Sequence, residues 1–524
     1  MHPLPLSVFC VTRHLAASRT HTQLLSSLLY HNSPTSPPSY STSNRSYEAE
    51  ILLSPTMRLT IPHTSSHIGN LGVMHETKVV GLDAGEHTTS DGETVGVPHS
   101  ALAEIHRQMV IIVPCKDEPP ETIEGVLCGI PAACLILLVS NSDRDGGCDG
   151  FQAEVDMLDR FCRYSHRRAM AVHQKDLAAS AAIRNAGMPE LIGNDGTVRN
   201  GKGEGMILGL AVVAALLPEM RYVGFVDADC KIPGSPHEYC RAYAAGFASS
   251  PHSDDDHIMV RLRWAAKPKV RNGRVDFTVT EGRSSRVVNA WMNRVLGLLW
   301  ERTETNGLPT TIDCERIIST ANAGEHALTM SLALKMRMAG GYAIEPFHFV
   351  DLVERQLRSP SLTPSTSVSS NQSVLTESSI NTLDMTPIRI LQIRTINPHM
   401  HTETDDDHIH NMWKAGLGTM YHHLLPLCAV DDHLSESVSD LRREMLDFVK
   451  EQDRLVEGRK PQVLGASAAQ PIQGPFSHEI VPRPRVYPPL ETLDLAMLQQ
   501  VLNRSGWCES LRRIGEGWRH VSKP

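Results

Sequence analysis

The chain has 524 residues, 41% of them hydrophobic, enough to bury a core in one large domain or two ordinary ones. A formal net charge of -9 argues against a nucleic-acid protein with a basic face, so any anionic ligand must be met by a few placed Lys and Arg side chains. The eleven cysteines are odd in number, scattered and without a C-x-x-C pair, which excludes a recognisable disulfide framework or zinc motif and favours a reducing, cytoplasmic setting.

The first 47 residues carry three Arg, no Asp or Glu, and many Ser, Thr and His. That is the composition of a transit peptide or of a disordered tail, and Met57 is an alternative start, so residues 1–56 read as a targeting-like or disordered extension. From Met57 to Arg107 the chain is polar and weakly periodic, a lead-in with one or two edge strands. MVIIVP (109–114) is a continuous apolar run, as expected for a parallel strand covered on both faces, followed by the loop PCKDE and a helix over 119–129. CLILLVSNS (134–142) and AMAVHQKD (169–176) predict two more buried strands with polar exits, separated by a helix over 151–164.

NGKGEG (200–205) opens an apolar helix over 206–217, whose twelve residues are too few to span a bilayer; no membrane segment is expected. RYVGFVDAD (221–229) is a short buried strand that delivers Asp227 and Asp229 to its carboxyl end. The alternation of strands and helices predicts a doubly wound, mostly parallel α/β sheet. Beyond it we expect a helix over 236–249, a strand over 257–264 with a hairpin partner over 274–280, and helices over 285–299 and 325–338. Residues 359–387 are dominated by Ser and Thr and read as a disordered insertion. A strand entering the His-bearing loop NPHMH follows at 388–401, then helices near 405–424 and 434–452, a Pro-rich irregular stretch over 458–490, and a last helix near 491–504.

In an open α/β sheet the strand exits crowd onto one edge, where ligands bind. Lys116, Glu118, Ser140, Asn141, Gln174 and Lys175 would therefore surround one ligand, and this mixture of amides, carboxylates and cations suits a nucleotide. The glycines around Lys202 precede a helix N-terminus, so backbone amides there can approach a phosphate; the motif is neither a Walker A loop nor a Rossmann fingerprint. Two carboxylates one residue apart suit a hard divalent cation, although D-x-D alone is common and also reads as a surface pair capping a helix. His399 or His401 would complete such a site, and alternation along an extended segment allows at most one of them to do so. EGRSSR (281–286) has the residues of a phosphate clasp: Arg283 for bidentate bonds, Ser284 and Ser285 as donors. ANAGEHA (321–327) would open a helix with groups able to hold a hydroxyl or carboxylate, or be no more than a tight acidic turn.

The ordered set IIVPCKDE, LVSNS, HQKD, GKGEGM, YVGFVDADCKIPG, MVRLRW, ANAGEHALTM, YAIEP and NPHMH resembles the mannosyl-3-phosphoglycerate synthase family, from about Met57 to His423. The resemblance implies a GT-A glycosyltransferase fold with a C-terminal α+β and helical extension on the acceptor side. It also implies retaining transfer of mannose from GDP-mannose to the 2-hydroxyl of 3-phosphoglycerate, with a divalent metal such as Mg or Mn. Carried over by position, Pro114, Lys116, Glu118, Ser140, Asn141, Gln174, Lys175, Lys202 and Ala228 would line the GDP part. Asp229 with His399 or His401 would hold the metal, and Asp227 would contact the ribose or the sugar. Arg283, Ser284, Ser285, Asn322, Gly324 and His326 would meet the acceptor, with Asp227, Asp229 and Glu325 at the reacting centre.

On this reading 57–264 is the nucleotide-sugar half, 265–358 the acceptor half, 388–457 the metal-His loop and its helices, and 458–524 a Pro-rich extension with a terminal helix. Small-molecule substrates are the expected partners, with neither nucleic acid nor membrane, and a homodimer is compatible. Three features depart from the family pattern: Arg286 where an acidic residue is expected, Cys230 where Asn is expected, and the Ser/Thr-rich insertion. A transferase using GDP- or UDP-glucose, or a non-catalytic nucleotide-sugar-binding descendant, is the alternative. A nucleotidylyltransferase is disfavoured because its first loop should be Gly-rich with Arg.

Overall fold

Residues 57–107, expected as a lead-in with edge strands, instead build one end of the main sheet. In the computed structural model, which describes residues 55–62, 66–67, 73–82, 92–144, 149–249, 257–271, 274–304, 317–358, 388–401, 405–428, 435–457, 479–504 and 511–515, they form β1 (Pro55–Pro62), β2 (Ser66–His67), β3 (Val73–Leu82), β4 (Gly92–Pro98) and α1 (His99–Arg107). β1 lies antiparallel between β3 and β4, and β3 pairs in parallel with a strand from far along the chain, which local periodicity could not reveal. The N-terminal extension up to residue 54, the Ser/Thr-rich insertion 359–387 and residues 458–478 lie outside the described residues.

The expected alternation then follows: β5 (Met109–Cys115), α2 (Pro120–Gly129), β6 (Leu135–Ser140), α3 (Gly150–Ser165), β7 (Ala169–His173), α4 (Leu177–Asn185), α5 (Lys202–Leu216), β8 (Tyr222–Phe225) and α6 (Gly234–Ala248). β5 to β8 run parallel in the spatial order β7, β6, β5, β8. Their continuous apolar runs have a direct cause. Val110, Ile112, Leu137, Val139 and Val172 face α4 and α5 in one core, while Ile111, Val113, Ile136, Leu138 and Ala171 face α2, α3 and α6 in the other. Both faces are covered, so both alternate sets must be apolar.

Past β8 the sheet becomes mixed. β9 (His257–Arg263), β10 (Lys269–Arg271), β11 (Arg274–Asp276), α7 (Arg283–Glu304), β12 (His326–Thr329), α8 (Met330–Lys335), β13 (Met338–Ala339), α9 (Ile344–Arg358) and β14 (Ile388–Arg394) come next. The helix expected over 325–338 is instead strand β12 followed by the short α8. Residues 326–329 are slotted antiparallel between β8 and β9, and burial between two strands overrides the helical preference of Ala and Leu. The hairpin also differs: residues 274–276 pair with β10, whereas β9 sits inside the main sheet beside β14. The result is a twelve-stranded mixed sheet in which β5 to β9, β14, β3 and β4 share one direction while β12, β1 and β2 oppose it; the β10–β11 hairpin is a separate two-stranded sheet. The α/β class holds, and the parallel nucleotide-side strands are as expected.

α10 (Asp406–Thr419) continues through a wider turn at Met420–Leu424 and a last turn at Leu425–Cys428, and α11 (Ser435–Glu457) packs beside it. The C-terminal extension folds back onto the body: β15 (Val486–Tyr487) pairs with β13, α12 (Leu495–Asn503) lies on α4 and α5, and β16 (Arg512–Ile514) covers the free edge of β7. Among the described residues no helix is long and apolar enough to cross a membrane.

Candidate active site

The exits of β5, β6, β7 and β8 open into one cavity of about 520 Å³. On the β5 side it is lined by Pro114, Lys116 and Glu118, and beside β6 and β7 by Asn141 and Gln174. These exits are stitched to the loop before α5. Asn141 Nδ2 donates to Asn200 Oδ1 at 2.6 Å, and Gln174 Nε2 donates to the carbonyls of Arg199 and Gly201 at 2.6 and 3.1 Å. Two expected residues stay off the cavity wall. Ser140 is fully buried, its hydroxyl accepting from the Ser142 amide, and Lys175 turns to the Val198 carbonyl at 2.8 Å.

At the head of α5, Lys202 Nζ lies 2.7 Å from Asp227 Oδ1 and 2.9 Å from Glu345 Oε1. Burial opposes the ammonium, but the two carboxylates outweigh it and hold its pKa well above the usual lysine value. Gly324 is needed beside this pair: a Cβ there would come within 2.4 Å of Asp227 Oδ2 and 2.9 Å of Lys202 Nζ.

Asp229 and Ala228 line the same wall. Burial, then Asp227 and Glu118, push the Asp229 carboxyl up to about 7 against the pull of Lys202 and Lys267. Its Oδ2 is 3.7 Å from His401 Nδ1. The two loops are joined by the Lys231 amide, which donates to the Met400 carbonyl at 2.7 Å, while Glu238 accepts from the amides of Ile396 and Asn397. His399 is placed differently. It stacks on Trp264 at 4.4 Å, its Nδ1 lies 2.9 Å from the Tyr239 hydroxyl, and burial, with Lys267 adding to it, drives its pKa well below the usual value.

A group of carboxyls whose protons are held first by burial and then by their acidic neighbours, with an imidazole alongside, is an environment that a divalent cation relieves. Among the described residues no group of three or more His, Cys, Asp or Glu side chains converges on one point. Asp229 and His401 are the facing pair that could hold a cation, the remaining positions being left to non-protein oxygens. Glu325 lies just beneath: it is fully buried, neither carboxylate oxygen has a hydrogen-bond partner, and burial followed by Asp227 pushes it up to about 8.

On the far side of the cavity, Arg283, Ser284 and Ser285 form the first turn of α7. Arg283 is ion-paired with Asp406 at the head of α10, and Asn322 Nδ2 donates to Ser284 Oγ at 3.0 Å. Asn322 Oδ1 is buried without a partner. The 320–323 loop is held by Arg261, a fully buried residue whose guanidinium donates to the carbonyls of Thr320, Ala321 and Ala323 and lies over the Phe349 ring. His326 is not on the cavity: it is fully buried in β12, stacked on Phe225, with Nδ1 at 2.8 Å from the Gly324 carbonyl. Lys267, Trp264, Tyr342 and Glu345 line the cavity without having been singled out from sequence. Trp264 ends MVRLRW, and Tyr342 and Glu345 lie in YAIEP, motifs that carry the resemblance without pointing to these side chains; Lys267 lies in no motif, and a lysine in a loop carries no signal until the fold places it.

Known proteins bear on this site. The family model for mannosyl-3-phosphoglycerate synthase matches residues 61–502. The chain belongs to the mannosyl-3-phosphoglycerate synthase family. A synthase of that name from Pyrococcus furiosus is 31% identical over 459 residues, covering 88% of this chain and all of that protein; one from Aeropyrum pernix is 31% identical over 385 residues, covering 74% and 90%. Among solved structures, glucosyl-3-phosphoglycerate synthase from Mycobacterium tuberculosis with Mn2+, UDP and phosphoglyceric acid matches at 16% identity and a TM-score of 0.36, covering 62% of this chain and 82% of that one. Its complex with Mn2+, UDP-glucose and phosphoglyceric acid matches at 17% and 0.37. Membership of the mannosyl-3-phosphoglycerate synthase family makes the chain a glycosyltransferase.

Proposed function

We propose that the chain transfers mannose from GDP-mannose to the 2-hydroxyl of 3-phosphoglycerate with retention at the anomeric carbon. One observation carries this reading: a single cavity joins the nucleotide-side exits, the Asp229–His401 pair and the first turn of α7. Pro114, Lys116, Glu118, Asn141, Gln174 and Ala228 take the guanosine and ribose, and Lys202 with the amides before α5 takes diphosphate charge. Asp229 and His401 hold a divalent cation, which when bound supplies Lewis-acid neutralisation of the leaving diphosphate. Arg283, Ser284, Ser285 and the α7 amides hold the acceptor phosphate, with Asn322 and Gly324 nearby.

The C1 to phosphate-oxygen bond breaks, the acceptor oxygen bonds C1 from the same face, and the hydroxyl proton passes to the departing phosphate oxygen. The surroundings of the two candidate nucleophiles support this front-face course over a double displacement. Asp227 is paired with Lys202, and Glu325 lies beneath the wall, off the cavity. The described cysteines are free thiols, in keeping with a cytoplasmic enzyme.

The test is a product assay with 3-phosphoglycerate and GDP-mannose, GDP-glucose or UDP-glucose, with and without Mg2+ or Mn2+. Mannosyl-3-phosphoglycerate formed only with metal and GDP-mannose is expected. A strong preference for a glucosyl donor would move the chain to the neighbouring activity, and no turnover with any donor would leave a binding protein.

A further inference from the structure

Lys267 lies in the turn between β9 and β10, and its position is fixed from both sides. Its amide donates to the Val279 carbonyl at 2.7 Å, drawing the turn against the segment that leads into α7. Its Nζ lies 4.4 Å from the centre of the Trp264 ring, and that ring is stacked on His399, two residues from His401. The side chain forms no ion pair with any described residue, although it lines a cavity walled by Asp227, Asp229 and Glu118. An aromatic face satisfies one side of an ammonium and leaves its remaining N–H groups for an anion.

The anion's place is bounded. A methyl group added to Gly282 would lie 3.2 Å from Ser285 Oγ and 3.3 Å from Lys267 Nζ, so the ammonium and the hydroxyl flank the same glycine. Lys267 thus stands at the junction between the first turn of α7 and the wall of Trp264, His399 and His401 that leads to Asp229. An acceptor whose phosphate sits at the helix turn has its reacting hydroxyl toward Asp229. In 3-phosphoglycerate the group attached to that same reacting carbon is the carboxylate.

We propose that Lys267 binds the carboxylate of the acceptor, beside the reacting hydroxyl, and so selects a phosphorylated 2-hydroxy acid over a phosphorylated polyol. This rests on the proposed transfer to 3-phosphoglycerate. Arg283, already paired with Asp406, serves the phosphate end together with the α7 amides.

The experiment compares the wild type with Lys267→Met, Lys267→Gln and Lys267→Arg. Steady-state kinetics are run against both substrates, with glycerol 3-phosphate (no carboxylate) and D-glycerate (no phosphate) as competitive probes. Expected is a rise of tenfold or more in KM for 3-phosphoglycerate in the Met and Gln variants, partial recovery in Arg, and a KM for GDP-mannose within twofold of the wild type. The inhibition constant for glycerol 3-phosphate should be unchanged by substitution, while that for D-glycerate rises. A matching loss for glycerol 3-phosphate would assign Lys267 to the phosphate, and a raised donor KM would assign it to the diphosphate; either result overturns the proposal, as does an unchanged acceptor KM. If the wild type itself makes no mannosyl product, the functional reading fails separately, and titration calorimetry of 3-phosphoglycerate into wild type and Lys267→Gln still decides whether Lys267 binds the acid.

Discussion

Asp229 and the two histidines of NPHMH divide a task that their spacing left open between them. His401 faces Asp229 across 3.7 Å at the cavity wall, whereas His399 is wedged between Trp264 and Tyr239 with its ring pinned on both sides. Replacing a proposed metal ligand and replacing a core ring have different signatures. We expect Asp229→Asn to lower kcat by at least about 10²-fold, as removal of transition-state charge stabilisation does. His401→Ala should raise the Mn2+ concentration for half-maximal activity by about 10- to 100-fold with little change in melting temperature. His399→Ala should do the reverse, losing about 2–4 kcal/mol of stability through its vacated stack. Metal titrations of activity beside thermal melts separate the two; a metal phenotype for His399→Ala and none for His401→Ala would exchange their roles. Alternation along the loop predicted that one of the pair would be turned away, but which one was illegible, because Tyr239 and Trp264 come from other elements.

At the scale of elements, the head of α5 is held by a residue whose partners are distant in sequence. Glu204, almost wholly buried, accepts from the Gly341 amide at 2.8 Å and from the Tyr487 hydroxyl at 2.9 Å, with Arg485 at 3.9 Å. It ties the first turn of α5, which carries Lys202, to the turn between β13 and α9, and to β15 of the C-terminal extension. Gly203 is a second fastening: a Cβ there would meet the Ala339 carbonyl at 2.4 Å. Glu204→Ala strands the hydroxyl and the amide in the interior and should cost about 3 kcal/mol or more. Tyr487→Phe, which leaves the carboxylate one donor short, should cost about 1.5–3 kcal/mol. Both should raise KM for the donor several-fold, because the turn they hold carries Lys202, the proposed partner of the diphosphate. Urea unfolding and donor kinetics check this; a stable Tyr487→Phe with unchanged KM would make the extension a passive cover. The GKGEG motif reads as a phosphate loop from its glycines, its Lys and the helix that follows. That its Glu serves the fold, and that a Pro-rich extension braces it, required the long-range pairing of β13 with β15.

Across the whole molecule, the parallel strands β5 to β8 were legible because each is covered on both faces and so declares itself as an apolar run. β3 and β12 were not, since their strand state is imposed by neighbours far along the chain. The same burial sets the response to acid. His106 is buried under α6 with Nε2 at 3.2 Å from the Cys240 carbonyl, and burial outweighs that bond to bring its pKa down to about 4, with Arg241, His237 and His99 adding to the fall. His173, His326, His348 and His399 are lowered in the same direction, burial first in each case. A histidine whose folded pKa lies below its unfolded value of about 6.5 binds its proton preferentially when unfolded, so stability falls as pH drops below about 6.5. For His106 alone the loss is on the order of 3 kcal/mol by pH 4. Buried carboxylates such as Glu154 and Glu238, whose folded pKa values are raised, work the opposite way, gaining stability as they protonate, so the absolute slope mixes both signs. The difference between wild type and His106→Gln isolates one histidine, since the amide keeps a donor for the Cys240 carbonyl without a titrating ring. Urea midpoints measured from pH 7.5 to 5 should fall more steeply for the wild type, by up to about 1.4 kcal/mol per pH unit near the lower end. Parallel curves for the two proteins would mean that His106 takes up its proton as readily folded as unfolded, and that α1 opens against α6 before the rest of the fold yields.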